Sequence, residues 1–93
     1  MTSKIITYDL CAPGQDYTDL IAEIKKYSRW SKITESSWLI DTDDSCVSIR
    51  DNLNKYLDSN DRIFVGELTG EAAWRNIICG SDGLKERLIW IKK

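Results

Sequence analysis

The chain has 93 residues, with 13 Lys and Arg against 15 Asp and Glu, for a formal net charge of −2. A length of this order makes one domain that buries roughly 60–65% of its extended-chain surface, so a dimer partner would usefully supplement the core. The acidic balance weighs against broad electrostatic attraction to nucleic acid, the 42% apolar content excludes disorder, and no apolar run approaches the ~20 residues of a membrane helix.

Lys4 to Leu10 opens the chain as an apolar, β-branched run and reads as a strand over about residues 3–10. Met1-Thr2-Ser3-Lys4 enters it directly, so no signal peptide is expected. Asp9 closes the run and is followed by a loop containing Pro13 and Gly14, a place where a scaffold can hold one charged group in position. Asp16 is the expected N-cap of a first helix, in which Tyr17, Leu20, Ile21, Ile24 and Tyr27 share one stripe. Asp19 and Glu23 precede Lys25 and Lys26 on its solvent side, the order that the helix dipole favours.

From Trp30 the pattern becomes extended. Ile33 sits in a short strand, Glu35-Ser36-Ser37 reverses direction or makes a bulge, and Trp38-Leu39-Ile40 forms the next strand. Asp41 to Ser45 is a polar connector suited to capping a second helix, whose apolar face is Cys46, Ile49, Leu53, Tyr56 and Leu57. Asp41, Asp43 and Asp44 lack the glycine and terminal glutamate of a calcium loop, so capping is the better reading for them. After a turn at Asp58 to Asp61, Arg62 to Leu68 reads as a strand with apolar residues on both faces. Glu71-Ala72-Ala73-Trp74, and then Leu84, Leu88 and Ile91, favour a helical tail, with a strand over Arg87 to Ile91 as the alternative.

This order is that of an α+β domain of the ferredoxin-like βαββαβ type: a single domain over 1–93, with its core in 3–68 and a C-terminal tail in 69–93. Two helices cover one face of a four-stranded antiparallel sheet. The opposite face retains apolar side chains that the tail, a second copy of the chain, or both would cover.

No catalytic motif stands out. The chain has no histidine and no glycine-rich phosphate loop, and Cys11, Cys46 and Cys79 lie far apart. An odd number of scattered cysteines points to small buried thiols in a reducing, cytoplasmic setting, not to disulfides or a metal site.

Thr7-Tyr8-Asp9-Leu10 with Pro13 to Tyr17, then Ser37-Trp38-Leu39-Ile40-Asp41-Thr42, Asp61 to Val65 and Thr69 to Trp74, resembles the small SinR-like proteins. These are similar in turn to the CRISPR-associated protein Cas-two and the VapD toxin ribonucleases. The resemblance spans most of the chain and implies a ferredoxin-like homodimer packed through its open sheet faces, in a defence or mobile-element setting. It also implies that Asp9 matches the aspartate that meets its symmetry mate and holds a divalent cation. Ser37, with Ser36 as the register alternative, matches a serine lying close to that aspartate. The acidic balance and the tail without an exchanged strand depart from the nuclease pattern.

Each candidate also has a plainer reading. Asp9 is a paired metal ligand for Mg²⁺ or Mn²⁺, or a turn aspartate accepting backbone hydrogen bonds. Tyr8 stacks on a base or, as is commoner, packs in the sheet. Lys25, Lys26, Arg29 and Lys32, interleaved with Tyr27 and Trp30, grip a nucleic-acid backbone or form a solvated helix end. Trp30, Trp38 and Trp74 are candidates for an interface with a second copy or a protein partner, and equally for the core. Glu67, at the end of the fourth strand, is a weak companion for Asp9. Two functions follow. One is a dimeric, non-catalytic module on a nuclease-type fold, acting through protein or nucleic-acid contact, which the acidic balance and lone carboxylate favour. The other is a metal-dependent endonuclease or endoribonuclease using paired Asp9 carboxylates.

Overall fold

The computed structural model of the chain describes residues 2–11, 17–79 and 89–90. Strand β1 (Thr2–Asp9) leads to helix α1 (Thr18–Ile24), strands β2 (Ser28–Thr34) and β3 (Ser37–Thr42), helix α2 (Cys46–Asn54) and strand β4 (Arg62–Leu68). Two short strands follow, β5 (Glu71–Ala72) and β6 (Ile89–Trp90). The first four strands form one antiparallel sheet in the order β2-β3-β1-β4, so β1 is central and β2 and β4 are edges.

Alternation along β1 decides what lies on each face. Ile6 and Tyr8 point to the helices and meet Trp38 and Ile40 of β3, Leu20 and Ile24 of α1, and Ile49 and Leu53 of α2. Each fully buried Leu or Ile contributes roughly 1.5–3 kcal/mol relative to exposure. The stripe read from Tyr17 to Tyr27 is the packed side of α1, with Leu20 and Ile24 sealed and Tyr17, Ile21 and Tyr27 half-buried.

Polar ties are built into the interior. The Trp38 indole Nε1–H donates to the Tyr8 hydroxyl at 2.9 Å, so both large side chains enter the interior with their polar ends joined. At the other end of β1, the buried Lys4 pairs with Glu67 at 3.2 Å and donates to the Thr42 carbonyl at 3.3 Å, with the Thr2 hydroxyl also in contact. Pairing accounts for a lysine in so dry a place.

The opposite face carries Ile5, Leu39 and Leu68, and the segment after β4 covers part of it. Ala72, Trp74 and Ile77 pack with Ile33 around Leu39, and the Ile78 N–H donates to the Ile33 carbonyl at 3.0 Å. The helical tail is corrected here. Glu71–Ala72 is a strand running parallel to Ile89–Trp90, and no helix occurs among described residues 69–79. Helical propensity in Glu71-Ala72-Ala73-Trp74 is worth tenths of a kcal/mol per residue, and burying Ala72 and Trp74 on the sheet outweighs it. Leu84, Leu88 and Ile91 lie outside the described residues.

Other expectations also shift. Ser45 caps α2 by accepting from the Ser48 N–H at 3.1 Å, whereas the Asp44 N–H donates to Thr42 Oγ1 at 3.1 Å and Asp41 is a buried strand residue. Asp16 lies outside the described residues, and Tyr17 at the start of α1 supplies no side-chain cap. The cysteines are not buried as expected: Cys11 and Cys79 are exposed thiols and Cys46 is half-buried.

Replacing Tyr8 with Phe leaves the Trp38 indole N–H buried without its acceptor. The expected loss is about 1–3 kcal/mol of unfolding free energy in a urea titration, with the far-ultraviolet spectrum unchanged. A loss below about 0.3 kcal/mol would contradict the role given to this bond.

Candidate functional site

Asp9 sits where the sheet's uncovered face meets the β1–α1 connection. Along that face β1 and β4 set Asp9 opposite Arg62, Thr7 opposite Phe64, and Ile5 opposite Gly66. Thr7, Tyr8, Asp9, Arg62, Ile63 and Phe64 line a shallow cleft of about 180 Å³. Phe64 is 63% exposed, a large apolar side chain left in water on a face where Ala72, Trp74 and Ile77 pack around Leu39. Its ring folds back over Gly66, where an added Cβ would lie 3.0 Å from Phe64 Cε2. The missing side chain thus lets the ring lie against the sheet.

The Asp9 carboxylate faces a guanidinium, Arg62 Nη1 to Asp9 Oδ2 at 3.6 Å, with the two side chains 70% and 76% exposed. A pair this wet is worth about 0–1 kcal/mol and sets orientation more than stability. The same Nη1 lies 3.9 Å from Cys11 Sγ. Ser37 donates to Thr7 Oγ1 at 3.0 Å, which puts its hydroxyl on the Asp9 face one alternation along β1. Ser36 meets β1 through its carbonyl, which accepts the Tyr8 N–H at 3.1 Å. Tyr8 itself is core. Glu67 is no companion to Asp9: it pairs with Lys4, on the other face and at the other end of β1.

As a metal site within one chain this set is poor. A divalent cation of the Mg²⁺ type wants several oxygens, whereas Asp9 offers one carboxylate already paired with Arg62. Among the described residues, no group of three or more Cys, Asp or Glu stands ready to hold a metal.

The signal that sequence reading missed is Asp61, the anchor of the chain leaving Asp9. Its carboxylate accepts from the Cys11 N–H at 2.7 Å, from the Asp58 N–H at 2.8 Å, and from the Tyr17 hydroxyl at 3.0 and 2.8 Å. One side chain therefore ties the end of β1, the start of α1 and the turn before β4. Desolvation opposes its ionisation, but the donors of Cys11, Asp58 and Tyr17 prevail and hold it below the usual carboxylate range. The turn cluster Asp58-Ser59-Asn60-Asp61 hinted at local caps, and nothing in its spacing pointed across to Cys11.

The four cations of the basic segment separate. The Lys25 ammonium lies 5.0 Å from the ring centroid of Trp30, and that of Lys32 lies 5.7 Å from the Trp38 ring. Trp30 and Trp38 are 5.7 Å apart and tilted by 59°. A cation–π contact at an exposed ring is worth about 0.5–1 kcal/mol. Lys26 instead pairs with Glu23 at 3.1 Å. Glu23 is held below its usual range by hydrogen bonds from Lys26, Asn52 and Tyr56, which outweigh burial. Arg29 has a left-handed φ of 52° where β2 slips register, and it reaches Asp41 at 3.6 Å. Of the three candidate interface tryptophans, Trp38 is 2% exposed and belongs to the core, Trp74 packs on the sheet, and Trp30 is 43% exposed.

No helix among the described residues is long and apolar enough to cross a membrane. Comparison of the chain with family models, curated proteins and solved structures gives no match.

Lowered acidity at Asp61 sets a pH dependence. A carboxyl whose folded pKa is depressed stabilises the fold above its ordinary value of 3.8, and that contribution disappears as pH falls through the lower folded value. Asp61→Asn is expected to melt earlier than the parent at pH 7 and to converge with it as pH falls through the depressed folded value in a thermal series. A constant gap across that range would remove Asp61 ionisation as the cause.

Proposed function

We propose that the chain is a dimerising, non-catalytic contact module of the ferredoxin-like type, joined to a second copy through the uncovered end of its sheet. The βαββαβ order and the sheet order β2-β3-β1-β4 support that fold reading. The carrying observation is the row Asp9–Arg62 beside the exposed Phe64. About a two-fold axis this patch is self-complementary: ring meets ring, and each Arg62 can turn to the other copy's Asp9. An acid already facing a base needs no cation to relieve carboxylate repulsion, which favours contact over metal chemistry. A metal-dependent nuclease using paired Asp9 carboxylates with Mg²⁺ or Mn²⁺ is the alternative. Its support is the placement of the Ser37 and Thr7 hydroxyls on the Asp9 face.

Sedimentation equilibrium on the parent and on Phe64→Glu, combined with a nuclease panel that includes Asp9→Asn, separates these readings. The parent is expected to be a dimer that Phe64→Glu weakens at least 30-fold, the ~2 kcal/mol of an interface anchor, with no cleavage in Mg²⁺ or Mn²⁺. A monomeric parent, or a folded Phe64→Glu that still dimerises fully, overturns the interface. Cleavage that needs metal and vanishes in Asp9→Asn would establish the nuclease instead.

A further inference from the structure

On the other side of the sheet from Phe64, the edge strand β2 carries a second exposed aromatic. Trp30 lies beside Trp38, the cross-strand partner of Lys32, and so stands on the helix side of the sheet. Lys25, in the turn leaving α1, lies over its ring at 5.0 Å, and Lys32 lies over the Trp38 ring. Among the described residues, this strand edge thus presents an exposed indole with one ammonium group over it and a second over the neighbouring Trp38 ring, where a linear ligand can pass. Trp38 braces this indole from the core.

We infer that Trp30, Lys25 and Lys32 form a binding ledge for single-stranded nucleic acid, one base stacking on Trp30 while the two lysines hold the adjoining phosphates. The inference deepens the contact-module reading, on which it rests, by giving the module a partner class. Every base offers a π face and every linkage a negative charge, so an indole flanked by cations suits this ligand without regard to sequence. A folded acidic partner would use the lysines but has no need of an open indole between them. Stacking a base is stronger than an exposed cation–π contact, so Lys25 is free to move from the ring to a phosphate when the base arrives. Glu23, two residues before Lys25, is engaged by Lys26, Asn52 and Tyr56, which reduces its repulsion toward the strand. The overall charge of −2 keeps binding modest, and neutralising phosphates with lysines makes it salt-sensitive.

The test is fluorescence anisotropy with labelled 12-mers of uridine and of thymidine, from low to physiological salt, with poly-glutamate as the competing polyanion. Sedimentation of the same samples reads the oligomeric state separately. Binding to either 12-mer is expected, with a log–log salt slope of about −1.4 for two neutralised phosphates. Trp30→Ala should weaken it about tenfold or more, Trp30→Phe should largely restore it, and Lys25→Gln with Lys32→Gln should flatten the slope. Three results would each overturn the ledge: no binding at low salt by folded protein, equal binding by Trp30→Ala, or full displacement by poly-glutamate at matched charge. An intact dimer without oligonucleotide binding removes the ledge alone. Binding by a monomer removes the dimer interface and leaves the ledge standing.

Discussion

Pairing of β1 with β3 on one side and β4 on the other decides where the chemistry of this chain can lie. A central strand has no free edge, so its side chains have only two destinations, and alternation assigns them strictly. Tyr8 and Ile6 go under the helices, while Thr7 and Asp9 go to the opposite face. A slip of one residue would bury Asp9 among Leu20, Ile24 and Trp38 and expose Tyr8. The cost of a buried, unpaired carboxylate forbids that register.

Two short helices cover only one face, and the chain deals with the other face unevenly. Leu39 recruits Ala72, Trp74 and Ile77 across the β1–β3 side, whereas the Phe64 end receives nothing from the described residues. That asymmetry separates a sealed face from a presented one. It also explains why a weak helical preference after Thr69 lost to extended chain: the segment gains more by lying flat over Leu39 than by closing its own turns.

Charge in this molecule is spent locally. Lys4 with Glu67, Arg29 with Asp41, Lys26 with Glu23 and Arg62 with Asp9 each match a base to a nearby acid. Two outward features stand beside aromatic side chains: the Asp9–Arg62 row next to Phe64 on one side, and Lys25 and Lys32 over the Trp30 and Trp38 rings on the other. Exposed pairs of this kind add little to stability and act mainly on orientation.

The order of elements through β4, the inward stripes of both helices and the place of Asp9 at a strand end were legible in the sequence. Each depends on near neighbours: periodicity of 2.0 or 3.6, turn residues and local caps. The sequence could not reveal that Asp61 reaches back to Cys11, that Glu67 belongs to Lys4, that Arg29 leaves its basic neighbours for Asp41, or that Trp38 is core while Trp30 is surface. Those outcomes depend on which strands pair and in what register, a matter of packing between residues as far apart in sequence as Lys4 and Glu67. By itself the sequence determined an α+β chain with an aspartate closing its first strand. The tertiary structure alone decided which groups surround that aspartate, because only strand pairing could set Arg62 and Phe64 beside it.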